Sequence, residues 1–175
     1  MAASAACVFM EPWRRLDEAA ASDARVWLRR CCGSSRWVEG MLARRPFGSN
    51  VALLGAARLV WNALDQDDWR EAFAHHPQIG ERDSTVAPAD TREMSQNEQA
   101  GVADAQPEIR TALEERNREY ALKFGYIFIV CATGRSAESM LADLHRRLQN
   151  DPATEIQIAA EEQAQITALR LQALT

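Results

Sequence analysis

At 175 residues, with 47% hydrophobic and 26% charged side chains, the chain fits one soluble globular domain with room for a real hydrophobic core. Its 25 acidic against 20 basic residues give a net charge of -5 with no basic stripe, which argues against a nucleic-acid partner. No apolar run is long enough to span a bilayer, and Cys7, Cys31, Cys32 and Cys131 have neither CxxC spacing nor a histidine at a metal-ligand interval, so they read as reduced thiols.

Met1 to Met10 is apolar but lacks a basic start and runs straight into Glu11, Pro12 and two arginines, unlike a secretory signal. With no peroxisomal tripeptide in Leu171 to Thr175, a cytoplasmic protein is expected. A first helix is predicted from Asp17 to Cys32, where Ala20, Val26, Trp27 and Leu28 recur at roughly helical spacing and Gly33 is the stop. Ser49-Asn50 caps a second, with Val51, Leu54, Leu59, Val60 and Trp61 as its apolar face, up to an acidic break at Asp65-Gln66-Asp67-Asp68. A short helix from about Trp69 to Ala74 then leads to His75-His76-Pro77-Gln78-Ile79-Gly80.

That stretch is the strongest candidate for chemistry, because it joins imidazoles to a rigid turn. Pro77 fixes its own φ and disfavours the α region at His76, so the imidazole is held where a helix has stopped and can project into a cleft. With an ordinary pKa of about 6.5, such a side chain gives or takes a proton near neutrality. The plainer alternative is a helix C-terminus whose last carbonyls are capped by a histidine. Residues 81–93 form an aperiodic polar loop of the kind that often borders a site. Ser95-Gln96-Asn97-Glu98-Gln99 gathers a hydroxyl, a carboxylate and amides; it reads either as a capping box or as a proton-handling partner for a nearby histidine.

Pro107 opens a long helix with Ile109, Leu113, Tyr120 and Phe124 near one face, ended by Gly125. Tyr126 to Ala132 is β-branched and aromatic and too short for a buried helix, so an extended segment is predicted. Being the only such run, it must satisfy its N–H and C=O groups without a partner strand, either through helix ends and side chains or by pairing with a flat, amide-rich ligand such as a ureide or purine. Ser136 opens a helix with Met140, Leu141, Leu144 and Leu148 inward. Asp151-Pro152 opens the last, through Ile156, Ala159, Ala160, Gln163, Ile166 and Leu169. The expected class is all-α, a single-domain helical bundle with one short extended segment lining the site.

Four motifs in order then carry a resemblance. His76-Pro77-x-Ile79-Gly80, Ser95-x-x-Glu98-Gln99 with Ala100-Gly101, Phe124-Gly125-Tyr126-x-Phe128-Ile129-Val130-Cys131-Ala132-x-Gly134-Arg135, and Ile166-x-x-Leu169-Arg170-Leu171 resemble the OHCU decarboxylase family, OHCU being 2-oxo-4-hydroxy-4-carboxy-5-ureidoimidazoline. The resemblance runs from about Trp13 to the C-terminus and includes Arg45-Pro46-Phe47, leaving residues 1–12 as an N-terminal extension of a 13–175 domain. It implies an all-helical fold and the last step of urate breakdown, cofactor-independent and metal-free decarboxylation of OHCU to (S)-allantoin. His76 corresponds to the central histidine, Glu98 and Arg170 to its catalytic companions. Pro77, Ser95, Gln96, Asn97, Glu98 and Gln99 correspond to the substrate-binding stretch, and Phe128, Ile129, Val130, Cys131 and Ala132 to the segment that binds through its backbone.

The family also implies a homodimer, for which the face bearing Trp61 is a candidate. Two rivals stand beside this reading. A ureide-sensing module would keep the pocket but tolerate loss of His76. A metal-dependent hydrolase would use His75, His76 and an acidic residue, although adjacent histidines diverge in most backbones and no His-x-x-x-His spacing is present.

Overall fold

The structure, a computed structural model, describes residues 10–78 and 105–174. Among the described residues are eight helices and no strand. They are α1 (Pro12–Glu18), α2 (Ala21–Cys31), α3 (Ser35–Leu42), α4 (Asn50–Asn62), α5 (Gln66–Phe73), α6 (Pro107–Phe124), α7 (Ala137–Arg147) and α8 (Pro152–Gln172). The all-α class expected from the sequence is the one found. Ile79, Gly80, the 81–93 loop and the stretch Ser95, Gln96, Asn97, Glu98 and Gln99 lie outside the described residues.

Most helix starts follow from local chemistry. Ser49 accepts from the Ala52 N–H at the head of α4, Ser136 from Ser139 at α7, and Asp151 from Ala153 and Thr154 at α8. Pro107 occupies the first turn of α6, and Gly125, at φ +78°, supplies the left-handed residue that closes it.

Two predicted elements change and one helix is added. The Asp17 to Cys32 helix is two helices, broken at Ala19 and Ala20, which are both extended. The cause is Arg45, whose guanidinium donates to the carbonyls of Asp17 and Ala19, while the Asp17 carboxylate accepts the N–H groups of Phe47 and Gly48 at 2.8 and 2.9 Å. The acidic run at 65–68 is not a break but a beginning. Asp65 is the N-cap of α5 in a reciprocal capping box with Asp68, and acids suit the positive end of a helix dipole. Helix α3 is not among the predicted elements; Ser34 caps it and it buries Trp37, Val38 and Met41.

The buried side chains form two clusters. One joins α1 to α5 with α8, around Trp37, Leu53, Trp61, Phe73 and Ile166; the other joins α6 to α7, around Leu113, Tyr120, Met140 and Leu144. Residues 127–132 belong to no helix and run between them. Phe128, Val130 and Ala132 join the second cluster, and Ile129 joins the first with Ile127 and Cys131 packed beside it. This two-residue alternation explains why the segment is apolar throughout: each of its faces meets a core.

Behind it lies an ion pair taken wholly out of water. Arg147 Nη2 sits 2.7 Å from Glu155 Oε1, Nη1 donates to the Ile129 carbonyl at 2.9 Å, and the Tyr120 hydroxyl and Asn150 amide also donate to Glu155. The Arg147 guanidinium stacks over the Phe128 ring at 4.5 Å. The charged groups of both Arg147 and Glu155 therefore meet partners, which is the condition for a buried pair to persist.

Candidate active site

Helix α5 ends by tightening. The N–H of His75 donates to Ala72 O at 3.2 Å and that of His76 to Phe73 O at 3.1 Å, after which Pro77 offers no N–H to continue. The two imidazoles then take different surroundings. His75 Nδ1 lies 2.9 Å from the Glu71 carbonyl, which can only accept, so this nitrogen carries the proton and Nε2 faces the Arg29 guanidinium at 3.5 Å. Gly33 lies under the ring, where a Cβ would come within 2.4 Å of it. Glu71 itself receives the N–H and hydroxyl of Ser35. Burial works to raise the Glu71 pKa, but the Ser35 hydrogen bonds and the Arg29 and His75 charges outweigh it and hold the carboxyl below its usual range.

His76 turns its Nε2 into the molecule, sealed from solvent and without a hydrogen-bond partner among the described residues. Burial first, then the charge of Arg170, push its pKa from 6.5 down to about 3; Gln163 acts in the opposite direction and His75 adds to the depression. The expectation of an imidazole poised near neutrality is therefore altered. With these neighbours it is neutral at pH 7, a proton acceptor before it can be a donor.

Arg170 is 3% exposed, so it is not one more surface charge of the last helix. It donates to the Arg30 carbonyl at 3.3 Å, at the C-terminal end of α2 where helix carbonyls lack intrahelical partners. The predicted inward position of Leu169 goes instead to Arg170, and Leu169 is 39% exposed. Beside them Cys32 is fully buried, its thiol pushed up to about 12 by desolvation, which keeps it protonated.

Helix α8 is the spine of the arrangement. Its Glu162 accepts the backbone N–H of Cys131 at 2.7 Å, Gln163 donates to Thr167 Oγ1 at 3.1 Å, and Arg170 faces His76. The partnerless-segment argument is thus half answered by side chains: Arg147 takes the Ile129 carbonyl and Glu162 takes the Cys131 N–H. Between them Val130, 5% exposed, forms no backbone hydrogen bond among the described residues, so its N–H and C=O are among the groups a flat ligand could use.

His76, Pro77, Arg170 and the 128–132 segment are therefore described, and the first and third are brought together. Sequence reasoning did not single out Glu162, whose tie to Cys131 appears only in the fold. It placed Gln163 on the inward face without asking what a buried amide would bond, the one signal that could have singled it out. A cavity of ≈ 150 Å³ between α3, α4 and α8, lined by Trp37, Leu54, Trp61, Ala164 and Ala168 among others, includes neither His76 nor Arg170 and is not this site. Among the described residues no group of three His, Cys, Asp or Glu side chains could hold a metal ion, and no helix is long and apolar enough to cross a membrane. Cys31, Cys32 and Cys131 form no disulfide among the described residues.

Comparison with known proteins gives a consistent result. The sequence model of the OHCU decarboxylase family matches residues 17–172. A uric acid degradation bifunctional protein of Arabidopsis thaliana is 40% identical over 142 residues, covering 81% of this chain and 44% of that protein. A 2-oxo-4-hydroxy-4-carboxy-5-ureidoimidazoline decarboxylase of Amia calva is 33% identical over 73% of each chain. A crystal structure of OHCU decarboxylase in the presence of (S)-allantoin superimposes with a TM-score of 0.72 at 36% identity, covering 84% of this chain and 94% of that one. A structure of (S)-allantoin synthase shares the fold, with a TM-score of 0.66 at 18% identity over 91% of this chain and 52% of that one. The chain belongs to the OHCU decarboxylase family.

Proposed function

We propose that this chain decarboxylates OHCU to (S)-allantoin, the last step in degrading urate to allantoin, with His76, Glu98 and Arg170 as its catalytic groups. The observation that carries the reading is a histidine nitrogen, His76 Nε2, sealed from solvent within reach of the charge of a buried arginine, on a chain of this family. Loss of CO2 breaks the bond from ring C4 to the carboxylate and leaves its electron pair on C4. The adjacent C5=N1 imine takes that pair, so C4=C5 forms and N1 gains a proton; the substrate is its own electron sink, and no cofactor is invoked. The resulting enol then loses its C4 hydroxyl proton and gains a proton at C5, where the stereocentre of allantoin is set.

A neutral His76 is suited to take the hydroxyl proton. Arg170 offers positive potential to the anionic substrate and to the charge that develops as CO2 departs. Glu98 holds the imidazole or the ureido group. Pro77, Ser95, Gln96, Asn97 and Gln99 line the substrate, and the backbone from Phe128 to Ala132 fixes the ring so that one face is protonated. Residues 13–175 make up the catalytic domain after a 1–12 extension, acting in the cytoplasm as a homodimer. Trp61 itself is buried; the apolar residues of α4 that remain outward are Val51 and Leu59, 84% and 66% exposed.

The test generates OHCU in place from urate with urate oxidase and hydroxyisourate hydrolase, and follows the circular dichroism of allantoin with and without this protein. Faster appearance of the S enantiomer is the expected result. A signal no different from the spontaneous, racemic background would overturn the reading and favour a ureide-binding module.

A further inference from the structure

We propose that Gln163 is a positioning residue whose side-chain oxygen accepts the Nε2–H of His76, fixing the neutral imidazole in one tautomer with the lone pair on Nδ1 left to take the substrate's proton. The proposal rests on the reading of His76 as proton acceptor and adds the group that prepares it.

Two buried polar atoms lack hydrogen-bond partners among the described residues and belong together. Gln163 Oε1 can only accept, and His76 Nε2 donates only in one tautomer. They are close enough for Gln163 to favour a proton on the ring, although the hydrogen bond is not closed in this structure. The amide is oriented from its other end, where its nitrogen donates to Thr167 Oγ1 at 3.1 Å. The Thr167 hydroxyl lies against the Cys32 sulfur, which also receives a hydrogen bond from the Ser34 backbone. With the Gln163 nitrogen facing Thr167, its oxygen is the amide atom left for the imidazole. The opposite histidine tautomer would set two lone pairs against each other in a site without solvent. Among the described residues, the charged or titratable groups that act on His76 are Arg170 from α8 and His75 from its own turn; both resist a second proton, which favours the neutral Nε2–H form.

The test reads the tautomer directly. Protein with 15N-labelled histidine is examined by long-range proton-nitrogen correlation, with His76→Asn used to assign the His76 signals. The wild type is expected to show the Nε2–H tautomer at pH 7 and to keep it to pH 5. Gln163→Leu, which fills the space but cannot accept, is expected to give mixed tautomers and a kcat lowered by at least about tenfold, with KM changed by less than about twofold. Gln163→Glu restores an acceptor with a charge; it keeps the tautomer and moves the acidic limb of kcat upward by about one pH unit or more. An Nδ1–H tautomer in the wild type, or an unaltered tautomer in Gln163→Leu, would overturn the proposal. Should Gln163→Leu fail to fold, the wild-type spectrum and Gln163→Glu decide. If His76→Asn retains turnover, the catalytic reading of His76 falls, while the assignment of Gln163 is still judged on the spectrum alone.

Discussion

His76 is neutral because its surroundings favour that state: the ring is desolvated, a guanidinium faces it, and one amide alone pulls the other way. This has a consequence for stability. The folded pKa of about 3 lies below the ordinary 6.5, so on acidification the unfolded chain takes up the proton first. The contribution is fully present above pH 6.5 and is lost as the pH falls towards 3, at about 1.4 kcal/mol per pH unit. The lowered carboxyl groups of Asp65, Glu71 and Asp151 start from ordinary values of 3.8 to 4.5; their contribution is fully present above those values and is lost only below them, so it stays constant across the window from pH 6.5 to 5. Urea unfolding in that window is expected to weaken the wild type and to leave His76→Asn nearly flat; parallel slopes would mean the imidazole is not held neutral. The position of His76 was legible, since Pro77 marks it in any reading of the chain. Its depressed pKa was not, because Arg170 stands far away in sequence and reaches it only through the packing of α8.

At the level of elements, the feature that joins the site is a single side chain. Glu162 of α8 receives the Cys131 N–H at 2.7 Å and so ties the extended segment to the helix that also presents Gln163 and Arg170. Glu162→Ala leaves that N–H unpaired and is expected to cost about 1–3 kcal/mol, while Glu162→Gln, which can still accept, recovers most of it; denaturant midpoints distinguish the two. The helix boundaries divide along the same line between local and distant causes. Ser49, Ser136, Asp151, Pro107 and Gly125 act within one turn and could be read directly. Asp65 acts just as locally, yet its cluster of acids reads equally as an acidic break after α4 and as a capping box before α5. Asp65→Ala is accordingly expected to lose about 1 kcal/mol in thermal or denaturant unfolding. The break at Ala19 was beyond local reading, since Arg45 imposes it from 26 residues away.

For the whole molecule, two apolar clusters share one extended segment, and the buried Arg147–Glu155 pair holds that segment by the Ile129 carbonyl. Removing one partner strands the other charge. Arg147→Met is expected to destabilise by about 3–5 kcal/mol, and Arg147→Met with Glu155→Leu by less, as measured by denaturant unfolding of the single and double variants. No sequence pattern announces that pair; α7 and α8 must pack before it exists. The proposed decarboxylation of OHCU depends on the imidazole of His76 working within reach of the Arg170 charge. The most direct measurement is the appearance of (S)-allantoin by circular dichroism, with OHCU generated in place, for the wild type beside a folded His76→Asn variant. The account predicts rapid, enantiopure product from the wild type and the slow racemic background from the variant. Equal, enantioselective turnover by both would contradict it.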